Sequence, residues 1–556
     1  MRFEVEVQFG REIGPKRADI VVYRKDGKTE YLIVETKKPD VKDGLGQLKS
    51  YGNATAAPLL VLTDGKLQYN MLRTDPNFFE DLPDIPRVDE TIEDVRKKKI
   101  TYKDLAPVPN LKKLVLDLEN VVLAHAGVNA FEEIFKLIYA KLYDELETPR
   151  NENRCFRVIA GATNKENLEQ IEKLFEDAKR EWSEVFRPKD EIEIPASAIV
   201  PAVSMLQKYR LFESDLQVID DAFEHLIAQD SKGEKGQYFT PRIMIDMCVR
   251  MLRPTAKETI LDPSSGSCGF LLHAMQHVWG NELSEEKYGK EEYKARQKKY
   301  ANEKLFGIDF DPRAVKIGKA MMLIAGDGKT NVHYANSLSS EEWSDEVRAK
   351  FQKLLWPYKE LAERKRNEEQ MRDFAFDIVL SNPPFAGDVS GTVLNHYDLG
   401  FKFQDGKKTN KHQNKVDRHI LFIERNLNFL RPGGRMAIVL PQGIFNNTSE
   451  EHIRKFIMQH ARILAVVGVD NNAFKPHNGV KTSVLIVQKW GDGNPKQENY
   501  PIFFATSKLP FKDNSGEYVY RDASSRDTKN LRSDLFEIAE AFCEWGKGEK
   551  INFLSK

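Results

Sequence analysis

Four short apolar runs, starting at Ile260, Leu305, Val332 and Phe376, punctuate the middle of the chain, and each gives way to a loop rich in small, acidic or amide residues. Stretches of helical length separate them. Strands that alternate with helices fold into a doubly wound parallel sheet, and such a sheet binds its ligand in the crevice at the carboxyl ends of its strands. Asp262, Asp309 and Asn382 fall at those ends, and Asn336 closes the run that starts at Val332. Further β-branched runs over 435–445 and 463–468, the first preceded by a Pro-Gly-Gly turn at 432–434, and a last one over 480–489 read as additional strands.

The run from Phe376 leads into Asn382-Pro383-Pro384-Phe385. Two prolines fix φ and extend the residue before each of them, so the carbonyls around Asn382 and Pro383 face one way and cannot easily relax. An amine conjugated to a ring is a poor nucleophile because its lone pair is delocalised. Two acceptors on its two N–H groups favour the pyramidal, nucleophilic form, and the Asn382 side-chain oxygen and the Pro383 carbonyl are candidates for that work. Phe385 supplies a flat apolar face for a base taken out of its stack.

A donor site precedes this turn. In Asp262-Pro263-Ser264-Ser265-Gly266-Ser267-Cys268-Gly269 small residues let a ligand approach the backbone closely, and the acid Asp309 at the next strand end suits the two hydroxyls of a ribose. In this order the residues resemble the adenine-N6 DNA methyltransferases, most closely the modification subunit of type I restriction-modification systems, over residues 110–500. The resemblance implies S-adenosylmethionine as cofactor. Gln237, Tyr238, Phe239, Thr240, Pro241 and Arg242 match the family segment that closes over its methionine part. By the same resemblance Asp262, Ser265, Gly266, Ser267, Cys268 and Gly269 form its loop, Asp309 binds its ribose, and Asn336, an Asp in many relatives, lies near its adenine. The same resemblance gives catalysis to Asn382, Pro383, Pro384 and Phe385. Transfer by this arrangement is positioning plus acceptance of developing positive charge, with neither a metal nor a covalent intermediate.

A second constellation opens the chain: Asp19, then Glu35-Thr36-Lys37 about fifteen residues later, then Gln47. Two carboxylates can hold a Mg²⁺, and a nearby lysine can orient water on a phosphodiester. The spacing resembles the PD-(D/E)xK nucleases and the amino-terminal domain of type I restriction subunits, with Asp19 and Glu35 as metal ligands where such a domain is active. The chain begins almost directly in a strand rather than in the usual acid-bearing helix, leaving Glu6 as a substitute acid. Two readings stand side by side: a nuclease, or a retained scaffold that binds DNA or a partner.

Residues 74–110, with five prolines and many charges, read as a linker between a nuclease-like domain at 1–73 and a helical domain at 111–230. The methyltransferase domain is expected over 231–500 and a carboxy-terminal extension over 501–556. Apolar residues recur at helical spacing in Leu111-Leu114-Val115-Leu118, Phe131-Ile134-Phe135-Ile138 and Leu216-Ile219-Phe223-Leu226-Ile227. The fold class is therefore α/β: a Rossmann-like doubly wound sheet preceded by a helical domain and a small α/β nuclease-like domain. The helical pattern over 533–545 suits either docking on a partner or packing on the sheet.

A chain of 556 residues with 41% hydrophobic content makes several packed units. It has no apolar run of membrane-spanning length and no signal-peptide core, which predicts a cytoplasmic protein without a membrane partner. Cys155, Cys248, Cys268 and Cys543 are too scattered for a disulfide framework or a zinc site. A formal net charge of −1 is unexpected for a protein that grips a polyanion, so local charge must compensate. Lys402, Lys407, Lys408, Lys411, Lys415 and Arg418, interleaved with Tyr397, Phe401 and Phe403, are the candidate surface for double-stranded DNA. The expected partners are that DNA and a separate specificity subunit, with a restriction subunit as a further option. Competing readings are a bifunctional endonuclease-methyltransferase, a methyltransferase of glutamine side chains or of cytosine N4, and a DNA-binding protein with an inactive methyltransferase fold.

Overall fold

The computed structural model describes residues 3–9, 16–37, 44–63, 68–75, 78–82, 84–87, 89–97, 99–108, 111–119, 127–159, 161–183, 185–212, 240–326, 331–404, 407–475, 479–491, 494–522 and 530–555. They form two units, Met1–Leu226 and Ile227–Lys556.

The first unit opens with a six-stranded sheet in sequential order: β1 (Phe3–Phe9), β2 (Lys16–Tyr23), β3 (Glu30–Thr36), β4 (Leu59–Thr63), β5 (Gln68–Asp75) and β6 (Phe78–Leu82). All neighbours are antiparallel except β3 and β4, which the helix Leu45–Thr55 connects as a crossover. Apolar residues alternate along the strands, so Val21, Ile33, Leu60 and Met71 share one face with Leu48 and Tyr51 of that helix. Gly52 allows the close approach, since a Cβ there would lie 2.7 Å from Leu60 Cδ1.

Ordered elements continue into the stretch expected to be a linker. β6 joins the sheet because Leu82 is buried and Phe79 packs on the core, and the helix Ile92–Lys97 and β7 (Ala106–Pro107) follow. β7 pairs with β8 (Tyr209–Arg210). Prolines and charges disguised these elements because each is short and half exposed. The helices Leu111–Asp117 and Ala130–Glu147 carry the first two apolar stripes; the third, Leu216 to Ile227, lies outside the described residues.

In the second unit the sheet runs β11 (Val332–Tyr334), β10 (Leu305–Asp309), β9 (Ile260–Asp262), β12 (Phe376–Ser381), β17 (Leu430–Pro441), β19 (Thr482–Lys489), β18 (Ala461–Gly468), β20 (Phe503–Thr506). β9 and β12 are hydrogen-bonded neighbours, and the chain winds outward from them in both directions, so the doubly wound expectation holds. Only β19 runs antiparallel to its neighbours. A fully buried aromatic layer of Phe351, Phe374, Phe376 and Phe429 underlies the β9–β12–β17 segment. The sheet does not stop at residue 500, because β20 adds parallel to β18. The helix Leu535–Gly548 packs against the helix Arg242–Leu252, with Phe542 edge-on to Phe503 at 5.6 Å and Arg250 over Phe536 at 4.6 Å.

Between β12 and the helix Arg418–Phe429 two small ribbons project: β13 (Asp388–Ser390) with β16 (Lys415–Asp417), and β14 (Phe401–Gln404) with β15 (Lys407–His412). Lys402, Lys407 and Lys411 are exposed, whereas Lys408 pairs with Asp398 at 2.6 Å and Lys415 with Asp388 at 2.6 Å. Tyr397 is buried, its hydroxyl donating to Leu338 O, so it belongs to the core rather than to this surface.

Candidate active site

The crevice of a doubly wound sheet opens where the strand order reverses, here between β9 and β12. Ser264 Oγ and Ser381 Oγ, one after each strand's apolar segment, lie 3.0 Å apart and tie the two ends together.

The loop after β9 is folded from within. Ser265 N donates to Ile308 O (2.9 Å) and Cys268 N to Ser265 O (2.6 Å), and Gly266 and Cys268 both take positive φ, 50° and 66°. A Cβ on Gly266 would meet nothing within 4 Å, so its outer side is open space, as a ligand cradle requires. Its inner side is tight: a Cβ on Gly318 would come 2.5 Å from Cys268 Sγ and 3.2 Å from Gly266 O. Ser265 and Ser267 are buried, and Ser265 Oγ has no partner among the described residues.

Asp309, at the end of β10, accepts from Gly266 N (2.8 Å) and Asp311 N (2.9 Å), so the acid that faces the crevice also shapes the glycine loop. Burial lifts its carboxyl from the ordinary 3.8 to about 6, against the pull of those two bonds. Burial raises Asp262 as well, with the nearby Asp309 charge adding to the effect. A folded-state value above the unfolded one means that the stability tied to the neutral acid is full below about pH 4 and is lost as pH rises through 6. Asp309→Asn stays neutral throughout, so its thermal stability should fall less between pH 4 and 6 than that of the parent protein. Melting curves across that range with equal slopes would refute this account.

Phe310 and Tyr334, at the ends of β10 and β11, are exposed and stacked, with rings 5.7 Å apart and 13° from parallel. A pair of flat apolar faces lies beside Asp309, and neither residue was singled out from the sequence. The only signal was an aromatic directly after Asp309. Asn336 does not present a free amide: Nδ2 donates to Glu342 Oε2 (3.2 Å) and Oδ1 accepts from Leu338 N (3.1 Å).

Past β12, Asn382 Nδ2 donates to Thr240 Oγ1 at 2.9 Å. Asn382 Oδ1 is buried and accepts no hydrogen bond from the described residues. A buried acceptor left unpaired costs about 1–3 kcal/mol, and such groups concentrate where a ligand completes them. Pro383 is buried beside it, and Pro384 and Phe385 are half-buried. Phe385 is held edge-to-face by His419 (6.4 Å, 80°) and Phe474 (6.2 Å, 73°). Burial lowers His419 to about 4, so it is neutral near pH 7, and its imidazole bonds to the Phe385 backbone. No local pattern in the sequence ties His419 or Phe474 to the Asn-Pro-Pro-Phe turn, since both are distant in sequence. Thr240, Pro241 and Arg242 sit at the start of the helix Arg242–Leu252, while Gln237, Tyr238 and Phe239 lie outside the described residues.

The β2–β3 register pairs Ile20 with Val34 and Val21 with Ile33, which puts Asp19 opposite Glu35 on one face. Lys37 Nζ bonds Glu35 Oε1 (2.7 Å) and Gln47 Oε1 (3.1 Å), and Gln47 in turn donates to the Tyr51 hydroxyl. Asp19 accepts from Thr36 N and Thr36 Oγ1, both at 2.6 Å. Burial, with the Asp19 charge adding, raises the Glu35 carboxyl; its Oε2 is buried without a partner among the described residues. The β1 register places Glu6 opposite Asp19. Among the described residues no group of three or more acids, histidines or cysteines is placed to hold a metal.

Comparison with known proteins follows the same division. A family model described as N-6 DNA Methylase matches residues 214–556, and one described as Type I restriction enzyme R protein N terminus matches residues 1–86. The type I restriction enzyme EcoEI methylase subunit of Escherichia coli is 24% identical over 341 residues, covering 60% of this chain and 56% of its own length. The type I restriction enzyme EcoKI methylase subunit of Escherichia coli strain K12 is 24% identical over 284 residues, covering 50% and 45%. The chain thus spans about half the length of these curated relatives. A chain from a solved structure of the type I R-M system superposes with a TM-score of 0.50 at 16% identity, over 79% of this chain and 84% of that one, and so shares its fold. Among the described residues no helix is long and apolar enough to cross a membrane.

Proposed function

Because this chain belongs to the N-6 DNA methylase family, we propose that it methylates the N6 amine of adenine in double-stranded DNA, as the modification subunit of a type I restriction-modification system in the cytoplasm. A separate specificity subunit supplies the target sequence. The observation that carries this reading is the buried Asn382 Oδ1, without a partner among the described residues and held at the crevice beside a proline whose carbonyl is fixed by its neighbour.

The residues present fit S-adenosylmethionine: the open side of Gly266, the orphaned Ser265 Oγ, the Asp309 carboxylate and the Phe310/Tyr334 pair match a chain of amino acid, ribose and purine. Bound there, the cofactor supplies an electrophilic methyl on a sulfonium. Asn382 Oδ1 and Pro383 O accept the two N–H groups of the adenine amine and stabilise positive charge as it develops on nitrogen. Neither oxygen is basic enough to keep a proton, so the one released by the methylated amine passes to water. Phe385, braced by His419 and Phe474, stacks the extruded base. The exposed Lys402, Lys407 and Lys411 on the β14–β15 ribbon contact phosphates.

The test is direct. DNA free of modification is incubated with the chain, labelled S-adenosylmethionine and the specificity subunit, then digested to nucleosides. Label in N6-methyl-2′-deoxyadenosine is the expected outcome. Label in N4-methyl-2′-deoxycytidine, or on glutamine of an added protein, would transfer the assignment to one of the competing enzymes.

The front sheet supports a second activity. Glu35 Oε2, buried and without a partner beside Asp19, suits a cation that prefers oxygen; Asp19 and Glu35 would hold Mg²⁺, which activates water toward a phosphodiester. Lys37, already oriented by Glu35 and Gln47, would position that water. Metal-dependent cleavage of unmethylated DNA should then be lost in Glu35→Gln and in Lys37→Ala without change in methylation. If the unaltered protein with its specificity subunit cuts nothing, the domain serves as a scaffold.

A further inference from the structure

A carboxamide has two ends of nearly equal size and opposite chemistry: the oxygen accepts, the NH₂ donates. Half a turn about its last torsion exchanges them. At Asn382 the exchange would set an N–H against the N–H of a substrate amine, donor against donor, so the chemistry needs one orientation only. The Asn-Pro-Pro corner stiffens the backbone but leaves this torsion free. What holds it comes from another element: Thr240 Oγ1 lies 2.9 Å from Asn382 Nδ2, 142 residues away in sequence. Thr240 directly precedes Pro241, which starts the helix Arg242–Leu252, where Pro241 O accepts from Met244 N and Ile245 N; its own position is therefore fixed by a buried helix rather than by a loose loop.

We propose that Thr240 is a positioning residue for methyl transfer, its hydroxyl accepting the Nδ2–H of Asn382 so that Oδ1 alone faces the substrate amine. This rests on the reading of Asn382 as the amine acceptor. It assigns Thr240 a role distinct from holding the methionine part of the cofactor, the one its sequence segment suggested. Since the two segments on either side of the crevice meet in this bond, the helix Arg242–Leu252 and the turn after β12 must be in register for the acceptor to point correctly.

The full chain is compared with Thr240→Val, which keeps the shape and removes the hydroxyl, with Thr240→Ser, which restores it, and with Asn382→Ala. In protein labelled with ¹⁵N-asparagine, the side-chain signal that vanishes in Asn382→Ala identifies the amide. Its N–H protons should exchange with water at least about tenfold faster in Thr240→Val and at the parent rate in Thr240→Ser. Calorimetric titration with S-adenosylmethionine should give a Kd within about twofold of the parent in both. At saturating cofactor, kcat for DNA methylation should fall roughly ten- to hundredfold in Thr240→Val and recover in Thr240→Ser. A weakened cofactor Kd with unchanged kcat would overturn the proposal and return Thr240 to the cofactor. If Asn382→Ala abolishes transfer while Thr240→Val leaves exchange and kcat untouched, only the proposal falls. If Asn382→Ala itself is fully active, the reading of the site falls with it.

Discussion

Asn382→Ala is expected to lower methyl transfer by about 10²–10³-fold, the loss typical when one preorganised group that stabilises developing charge is removed from a closed site. The effect should lie in kcat. Asn382 makes its one described side-chain hydrogen bond to Thr240, and the groups that suit the cofactor, Gly266, Asp309, Phe310 and Tyr334, belong to other strand ends. The dissociation constant for S-adenosylmethionine should therefore stay within about twofold of the parent. Substitution by Asp is the informative companion: a carboxylate accepts at both ends but gives up the donor to Thr240, so part of the activity should return. Steady-state rates with labelled cofactor, alongside calorimetric Kd values, separate the two quantities. A variant with parental turnover would remove the Asn-Pro-Pro-Phe turn from the mechanism.

The largest loss of stability is expected at Arg425, inside the helix Arg418–Phe429. Its guanidinium is buried and donates to Ser337 O (2.8 Å), Arg372 O (2.8 Å) and Met371 O (3.1 Å), with Phe429 stacked beneath it at 4.2 Å. Arg425→Met keeps the bulk and strands three buried carbonyls. At about 1 kcal/mol or more for each, the cost is about 3–5 kcal/mol, or roughly 6–15 °C in Tm for a unit of this size. Function should follow, because Ser337 adjoins Asn336 at the end of β11 and its hydroxyl bonds Pro263 O in the loop after β9. Weaker cofactor binding is expected together with the lower Tm. Thermal unfolding shifted by less than about 2 °C would mean that those carbonyls find water or other donors.

The Asn-Pro-Pro-Phe turn and the strand-end acids were legible because their signals are local: prolines fix their own φ, and an acid after an apolar strand sits at the end of that strand wherever the sheet is placed. The same locality explains what was hidden. The short, half-exposed elements of 74–110 carry too few apolar residues to announce themselves, yet β6 pairs because β5 offers an open edge. His419 and Phe474 meet Phe385 only after the ribbons β13–β16 and the turn after β18 have folded toward it. Tyr397 reads as a surface aromatic among lysines, but packing turned it inward, where Leu338 O takes its hydroxyl.

Chain order determined the doubly wound sheet, through the alternation of strand and helix patterns along the chain, while the small-residue loop, Asp309 and the Asn-Pro-Pro-Phe corner each depend on residues within a few positions of one another. Tertiary structure decided the orientation of the Asn382 amide, the bracing of Phe385 and the stacked Phe310/Tyr334 pair. The physical reason is that hydrogen bonds and ring contacts between distant segments depend on where whole elements come to rest. That placement is fixed by burial of the sheet and its aromatic layer, a sum over many side chains that no single motif encodes.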